Sequence, residues 1–332
     1  MHLAAAFELP ESYRARPYAG PADHRAMAHI LNEHRTRLGQ LEMVTPEELD
    51  LRYSHFVDCD PDLDIAIIET VDTAIAYSRA SREDLDAGTR DLVIFSPTLT
   101  RHTSEDLFVA EVEGQERHMT KWTDAPSVRY RGDAAHPGPD EAPTGEAAWF
   151  ESLGYEPTEW GAFLIRPHLD DVPDRQLPEG VEIRPVADDH IDTIWHAETE
   201  AFRDEWDSRE PNEDDYREYV ESPHFDPSMW KVAWAGDVVV GQVRSYINRD
   251  ENASRSCLRG YTEHISTHRD WRNRGIAAAL LAASLVEVRD RGMTQAALGA
   301  DTNNPGGAFH LYTSLGFEPQ SFEAVYTKPA IG

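Results

Sequence analysis

Apolar and polar positions along the chain spell out one order of elements twice. In the first round Tyr13 to Tyr18 alternates as a short strand, and Met27, Ile30, Leu31 and Leu38 fall at near-helical spacing from Pro21 to Arg37. Thr45-Pro-Glu-Glu opens a second helix, with Thr as its cap and Pro at its first position. Asp62 to Glu69 and Thr73 to Arg79 read as paired strands, and Asp91 to Phe95 as a third. Arg101 to Lys121 reads as a helix, Asp133 to Gly145 as a Pro- and Gly-rich surface loop, and Ala147 onward as a helix stopped by Gly154. Ala162 to Arg166 closes the round as a strand.

The second round begins with a strand at Val181 to Val186 and a helix from Asp188 to Phe202. A second helix runs from Glu213 to Val220, and Trp230 to Ala235 with Val238 to Ile247 predicts a hairpin turning at Gly236-Asp237. Then come a strand (Leu258 to Thr267), a helix from Gly275 to Arg291 with one apolar face, a strand (Gln295 to Gly299), a helix ended by Gly316 and a last strand at Ala324 to Lys328. Ala148-Trp-Phe-Glu-Ser-Leu-Gly-Tyr-Glu-Pro also matches His310-Leu-Tyr-Thr-Ser-Leu-Gly-Phe-Glu-Pro in register, a signature of duplication. The expected fold class is α+β (α/β), in two tandem domains, each a mixed, mostly antiparallel sheet flanked by helices. The boundaries fall at residues 1–169 and 181–332, with the polar, proline-bearing stretch 170–180 as linker.

Composition narrows the function. The chain has 332 residues, enough for two ordinary domains, and a formal charge of −30, which argues against nucleic-acid binding. Its apolar runs are shorter than a membrane span needs, and the N-terminus lacks the basic start of a signal peptide. Cys59 and Cys257 show no metal or redox spacing, so a cytoplasmic protein with reduced thiols is expected.

Against this acidity, Glu263 to Ala277 stands out as a strand, a basic loop and a helix start. Arg269, Arg272 and Arg274 line the loop, and Gly275 admits a close approach of the backbone. Unbonded amides at a helix N-terminus, with its dipole, favour an anion.

Arg272-Asn-Arg-Gly-Ile-Ala resembles the Arg/Gln-x-x-Gly-x-Gly/Ala loop of the GNAT superfamily of acyl-CoA-dependent N-acetyltransferases. Asn304-Pro-Gly-Gly-Ala-Phe-His-Leu-Tyr-Thr-Ser-Leu-Gly-Phe is similar to that family's second signature. The resemblance covers Val181 to Pro329, and the pairing of halves is similar to the tandem arrangement of mycothiol synthase and related actinobacterial acetyltransferases. It implies acetyl-CoA as co-substrate, with its pyrophosphate on the amides of Asn273, Arg274, Gly275, Ile276 and Ala277 and with charge added by Arg272 and Arg274. Backbone groups at Ile265 and Thr267 would meet the pantetheine arm, and Asn304 would meet it from the other side. Tyr312, four residues before Gly316, stands where the family places its general acid, since a phenol with pKa about 10 can protonate a departing thiolate. Trp149 is read as its counterpart in the first half, which leaves a core role for Tyr312 open. Glu263 is the candidate base, with a water chain as the alternative; by strand alternation it shares a face with Tyr261 and Ile265, while His264 points away.

The family needs no metal, and His264-x-x-x-His268 lacks a third ligand. The acidic stretch from Glu198 to Glu221, with Phe202 and Trp206, would suit a cationic amine acceptor. In the first half, Thr98 to Asp106 has no glycine and puts two acids where a phosphate would sit, so that domain is expected to have lost the cofactor. These readings imply an N-acetyltransferase that moves an acetyl group to the primary amine of a small molecule in a ternary complex, with a homodimer left open. The alternatives are mycothiol-synthase-like acetylation of a cysteinyl amine, a non-catalytic acyl-CoA sensor and an aminoacyl-tRNA-dependent peptidyl transferase.

Overall fold

The computed structural model describes residues 1–332 except 41–42, 57, 86–87, 204–209, 303–306 and 331–332. In chain order the first elements are β1 (Arg14–Pro17), α1 (Pro21–Arg37), α2 (Pro46–Ser54), α3 (Pro61–Asp64), β2 (Ile65–Glu69), β3 (Ala74–Asp84), β4 (Thr89–Phe95), α4 (Glu105–Met119), β5 (Ser127–His136), α5 (Glu146–Ser152) and β6 (Glu156–Arg166). There follow β7 (Glu182–Arg184), α6 (Ile191–Phe202), α7 (Glu213–Glu221), β8 (Lys231–Ala235), β9 (Val238–Tyr246), α8 (Arg249–Arg255), β10 (Arg259–Thr267), α9 (Ile276–Asp290), β11 (Gln295–Asp301), α10 (Ala308–Ser314) and β12 (Glu318–Pro329).

Local signals set many of these bounds. Thr45 and Glu48 form a reciprocal capping box at the start of α2, with Pro46 at its first position. The two helices of the repeat end alike: Gly154 donates to Glu151 and Tyr155 to Phe150, as Gly316 donates to Thr313 and Phe317 to Tyr312. These bonds correct one pairing, because the counterpart of Tyr312 is Phe150 and not Trp149.

The chain forms two compact units, Met1–Gly161 with Ser321–Gly332, and Ala162–Gln320. In the first, the strand order is β1-β2-β3-β4-β5-β12. β4 and β5 are parallel, and the other pairs are antiparallel. In the second, it is β7-β8-β9-β10-β11, with the Ala162–Arg166 end of β6 beside β11. There β10 and β11 form the parallel pair. These units differ from the linear division at residues 169 and 181. A linear cut leaves each repeat its own terminal strand, yet β12 pairs with β5 from Phe322↔His136 to Pro329↔Arg129.

The loop expected from Asp133 to Gly145 is also corrected, since its first part belongs to β5. This strand is polar because its charges are paired across the sheet: Arg129 to Asp91 at 2.6 Å and Arg131 to Glu83 at 3.0 Å. α8 was not foreseen, although Asn248 caps it by accepting from the Glu251 amide at 2.9 Å. In the second unit α9 packs on β9 and β10, and the fit is close at Gly260, where an added Cβ would lie 2.5 Å from Val288. At the start of α9 the fit is close too, since a Cβ added to Gly241 would lie 2.9 Å from Ile276.

Candidate active site

β10 and β11 start as neighbours and then part. Their register runs from Arg259↔Gln295 to Tyr261↔Ala297. Beyond that point Glu263 reaches across, and its Oε1 accepts the Gly299 amide at 3.0 Å. A side chain thus spans a gap that a ladder hydrogen bond would otherwise close. On its other edge β10 pairs with β9, but the register shifts between Glu263↔Arg244 and Ser266↔Gln242. His264 lies in that bulge with φ 52°, an αL conformation uncommon for histidine.

The bulge corrects the expectation from alternation, because the period of two does not run through Ile265. It brings His264 into the site: its Nδ1 lies 2.8 Å from Glu198 Oε1, and its side chain is 51% exposed. Glu198 is buried and also pairs with Arg244 at 2.6 Å. It is therefore committed inside the protein and adds nothing to an acidic solvent-facing mouth. Arg244 in turn lies 4.5 Å from the ring of Tyr219 and 5.3 Å from that of Trp230. Trp195, Tyr216 and Phe225 extend this aromatic wall. Sequence reading missed the group, yet a signal exists. Glu198 continues the buried stripe of Ile191 and Ile194 on α6, and Arg244 interrupts a buried strand.

After β10 the chain turns through Arg269–Trp271 into α9. Asn273 has φ 62° and Gly275, the N-cap, φ 80°. A Cβ on Gly275 would meet nothing within 4 Å, so the turn and not crowding requires glycine there. No side chain caps α9, and its first turn carries no acid. The first amides of a helix have no partner inside it, so those at Ile276 and Ala277 face the loop. Arg272, expected to lend charge, works as a brace: its Nη2 donates to the Ala201 carbonyl at 2.8 Å and its Nε to that of Thr267 at 3.3 Å. That second bond engages a group expected to meet pantetheine. Arg274 donates to the Asp270 carbonyl at 2.9 Å and lies over the Trp271 ring at 4.7 Å. Ile265 sits in the bulge between the two registers of β10.

Tyr312 lies on α10, is 6% exposed and meets Phe317 with ring centroids 6.4 Å apart. Asn304 lies outside the described residues, as do Asp204, Glu205, Trp206 and Asp207 of the acidic stretch. Among the described residues, no cluster of His, Cys, Asp and Glu has the grouping of a metal site. No described helix is long and apolar enough to cross a membrane.

Comparison with known proteins fits this geometry. Residues 191–317 match the family model of the acetyltransferase (GNAT) family. The mycothiol acetyltransferase of Thermobispora bispora is 27% identical over 166 residues, 50% of this chain and 56% of that protein. The match to the mycothiol acetyltransferase of Catenulispora acidiphila, also 27% identical, covers 57% of that protein, so the chain spans little more than half the length of these curated relatives. Among solved structures, a GCN5-related N-acetyltransferase from Sphaerobacter thermophilus has a TM-score of 0.71 at 22% identity and covers 98% of both chains. A tandem GNAT protein from the clavulanic acid biosynthesis pathway has a TM-score of 0.63 at 14% identity over 96% of this chain and 99% of that one. At such identities these likenesses speak for the fold. The family match covers residues 191–317, and over the whole chain these likenesses show a fold shared with GNAT proteins.

Proposed function

We propose that the chain is an acetyl-CoA-dependent N-acetyltransferase whose one active site lies in the second unit. The observation that carries this reading is the parting of β10 and β11 after Tyr261↔Ala297, directly before the uncapped start of α9. The gap offers strand groups to a pantetheine arm, and the loop amides from Asn273 to Ala277 suit a pyrophosphate. Asn304 is assigned to the same arm.

The chemistry is attack of a neutral amine on a thioester. It needs a base for the ammonium, donors for the developing oxyanion and an acid for the departing thiolate. Tyr312 is assigned the acid role and Glu263 the base. A second base is favoured by one observation: His264 is half exposed and bonded through Nδ1 to buried Glu198. That bond would hold the imidazole with Nε2 free to accept a proton. None of these steps calls for a metal. The acceptor is read as a small primary amine, and the aromatic wall around Arg244 is suited to its recognition. A cysteinyl amine is the narrower reading, supported by relatives that are mycothiol acetyltransferases.

The test is acetyl transfer to a panel of amines that includes a cysteinyl aminosugar. Turnover is expected with at least one amine. Tight acetyl-CoA binding without turnover on any would favour a non-catalytic sensor. Glu263→Gln and His264→Gln separate the bases, since only the variant lacking the true base should lose the acidic limb of the kcat/KM pH profile.

A further inference from the structure

The first unit contains an arginine whose charge the fold leaves unbalanced. Arg79 lies on β3 opposite Phe95 of β4. Its guanidinium is 4.7 Å from the ring centroid of Phe56 and 4.5 Å from that of Phe95. Each ring leans on a tyrosine: Phe56 stacks with Tyr53 at 6.0 Å, and Phe95 meets Tyr77 edge-on at 5.7 Å. Tyr53, Tyr77 and Cys59 belong to one buried core, against which both phenylalanines pack.

Three polar groups converge here, with Tyr53 set against both of the others. The hydroxyls of Tyr53 and Tyr77 and the Nε of Arg79 are enclosed and lack a well-aligned hydrogen bond among the described residues, with only one another as polar company. Tyr77 is 0% and Tyr53 8% exposed. Arg79 forms no ion pair among the described residues; the groups acting on its charge include Tyr53, Tyr77 and Cys59. A buried hydroxyl without a good hydrogen bond is destabilising, and an unpaired buried charge more so. Aromatic faces offset part of this for the cation but offer no anionic acceptor. The second unit solves the same problem with its own acid: Arg244, also set against aromatic rings, pairs with Glu198 at 2.6 Å.

We propose that Arg79, Tyr53 and Tyr77 form a binding site for the carboxylate of a small organic acid, which supplies the counter-charge that Arg79 does not find among the described residues. The planar fork of a guanidinium matches a carboxylate, and the phenols add two donors. Phe56 and Phe95 give apolar walls for the body of the acid. Arg79 is only partly buried, so the site reaches solvent. One positive charge calls for one negative charge. Burial pushes the Cys59 thiol up to about 12 and keeps it neutral. Asp64, which acts on that thiol, is tied to His118 and Lys121 at 2.7 Å each. A carboxylate therefore fits better than a phosphate dianion.

The test is calorimetric titration and thermal unfolding of the full chain with sodium benzoate, and in parallel with inorganic phosphate. Benzoate should bind and raise Tm, and phosphate should do neither. Arg79→Met should abolish benzoate binding while leaving acetyl-CoA binding intact. Tyr53→Phe and Tyr77→Phe keep the site readable if Arg79→Met does not fold. Each should weaken benzoate about tenfold, the worth of a hydrogen bond to a charged group, without lowering the Tm of the unliganded protein. The proposal is overturned if wild type shows no benzoate binding or binds phosphate as tightly as benzoate. Unchanged benzoate affinity in the Tyr→Phe variants, or a lower unliganded Tm, would overturn it as well.

Discussion

In the first unit the parallel strands β4 and β5 stay paired from Thr89↔Ser127 to Ile94↔Gly132; in the second, β10 and β11 separate after Tyr261↔Ala297. The groups just past the strand end differ to match. In the first unit the Phe95 amide donates to Gln115 of α4 at 3.1 Å, and Gln115 donates to Ser96 at 2.6 Å. Ser78 donates to Glu111 of the same helix at 3.0 Å. The helix starts differ too. α4 is capped by Ser104 and carries Glu105 and Asp106 in its first turn, whereas α9 has neither cap nor acid there. Phe150 stands in the first unit where Tyr312 stands in the second. The strand order survives in both, while the first unit bonds with its own side chains groups that the second leaves facing its gap and loop. On the function proposed above, a binding gap would be lost by keeping a few ladder bonds and capping one helix.

The largest effect should come from Tyr312, whose hydroxyl the matching Phe150 of the first unit lacks. Tyr312→Phe should lower kcat by roughly 10²–10⁴-fold, the usual contribution of a general acid, with little change in acetyl-CoA affinity. The reciprocal Phe150→Tyr should leave turnover unchanged. Steady-state kinetics with a direct binding measurement separates these outcomes, and an unchanged rate in Tyr312→Phe would remove it from that role.

A smaller effect concerns the polar filling of the first unit. Burial raises the pKa of Glu111 well above 4.5, and Glu146 nearby adds to the rise. Above the unfolded pKa the unfolded chain releases this proton while the folded chain keeps it. Stability therefore falls with rising pH, by up to about 1.4 kcal/mol per pH unit, until the folded pKa is passed. Glu111→Gln should stabilise the protein at pH 8 and lose that advantage near pH 4, as thermal melts at the two pH values would reveal. His34 acts in the opposite sense. Burial lowers its pKa to about 3, so it takes up its proton only on unfolding and favours the folded state as pH rises from 3 toward 6.5.

Smallest of all is the cap. Ser104→Ala should cost about 1 kcal/mol, read as a lower Tm, with acetyl-CoA binding unaffected. A gain of cofactor binding in that variant would show that the cap alone closes the first unit.

Much of this was legible in sequence because its causes are local. The helix from Pro21 to Arg37 keeps those bounds, Thr45 caps α2, and the loop before α9 turns at Gly275 as expected. What sequence reading missed depends on distant partners. The Asp133 to His136 end of β5 reads as a loop, and the partners of this polar strand, Asp91 for Arg129 and Glu83 for Arg131, lie far off in sequence. β12 reads as the end of its own repeat until it pairs with β5. Alternation does not foresee the bulge at His264, which shifts the register of β10 by one residue, nor its bond to Glu198. The bracing of Arg272 by the carbonyls of Ala201 and Thr267 joins residues that sequence reading had not linked.

The central claim is that the second unit alone keeps the cofactor site. Its most direct test is the stoichiometry of acetyl-CoA binding, by calorimetry, in wild type and in Gly275→Val, which forces a β-branched residue into φ 80°. The account predicts one equivalent per chain in wild type and none in the variant. A second equivalent, or one that survives Gly275→Val, would contradict it.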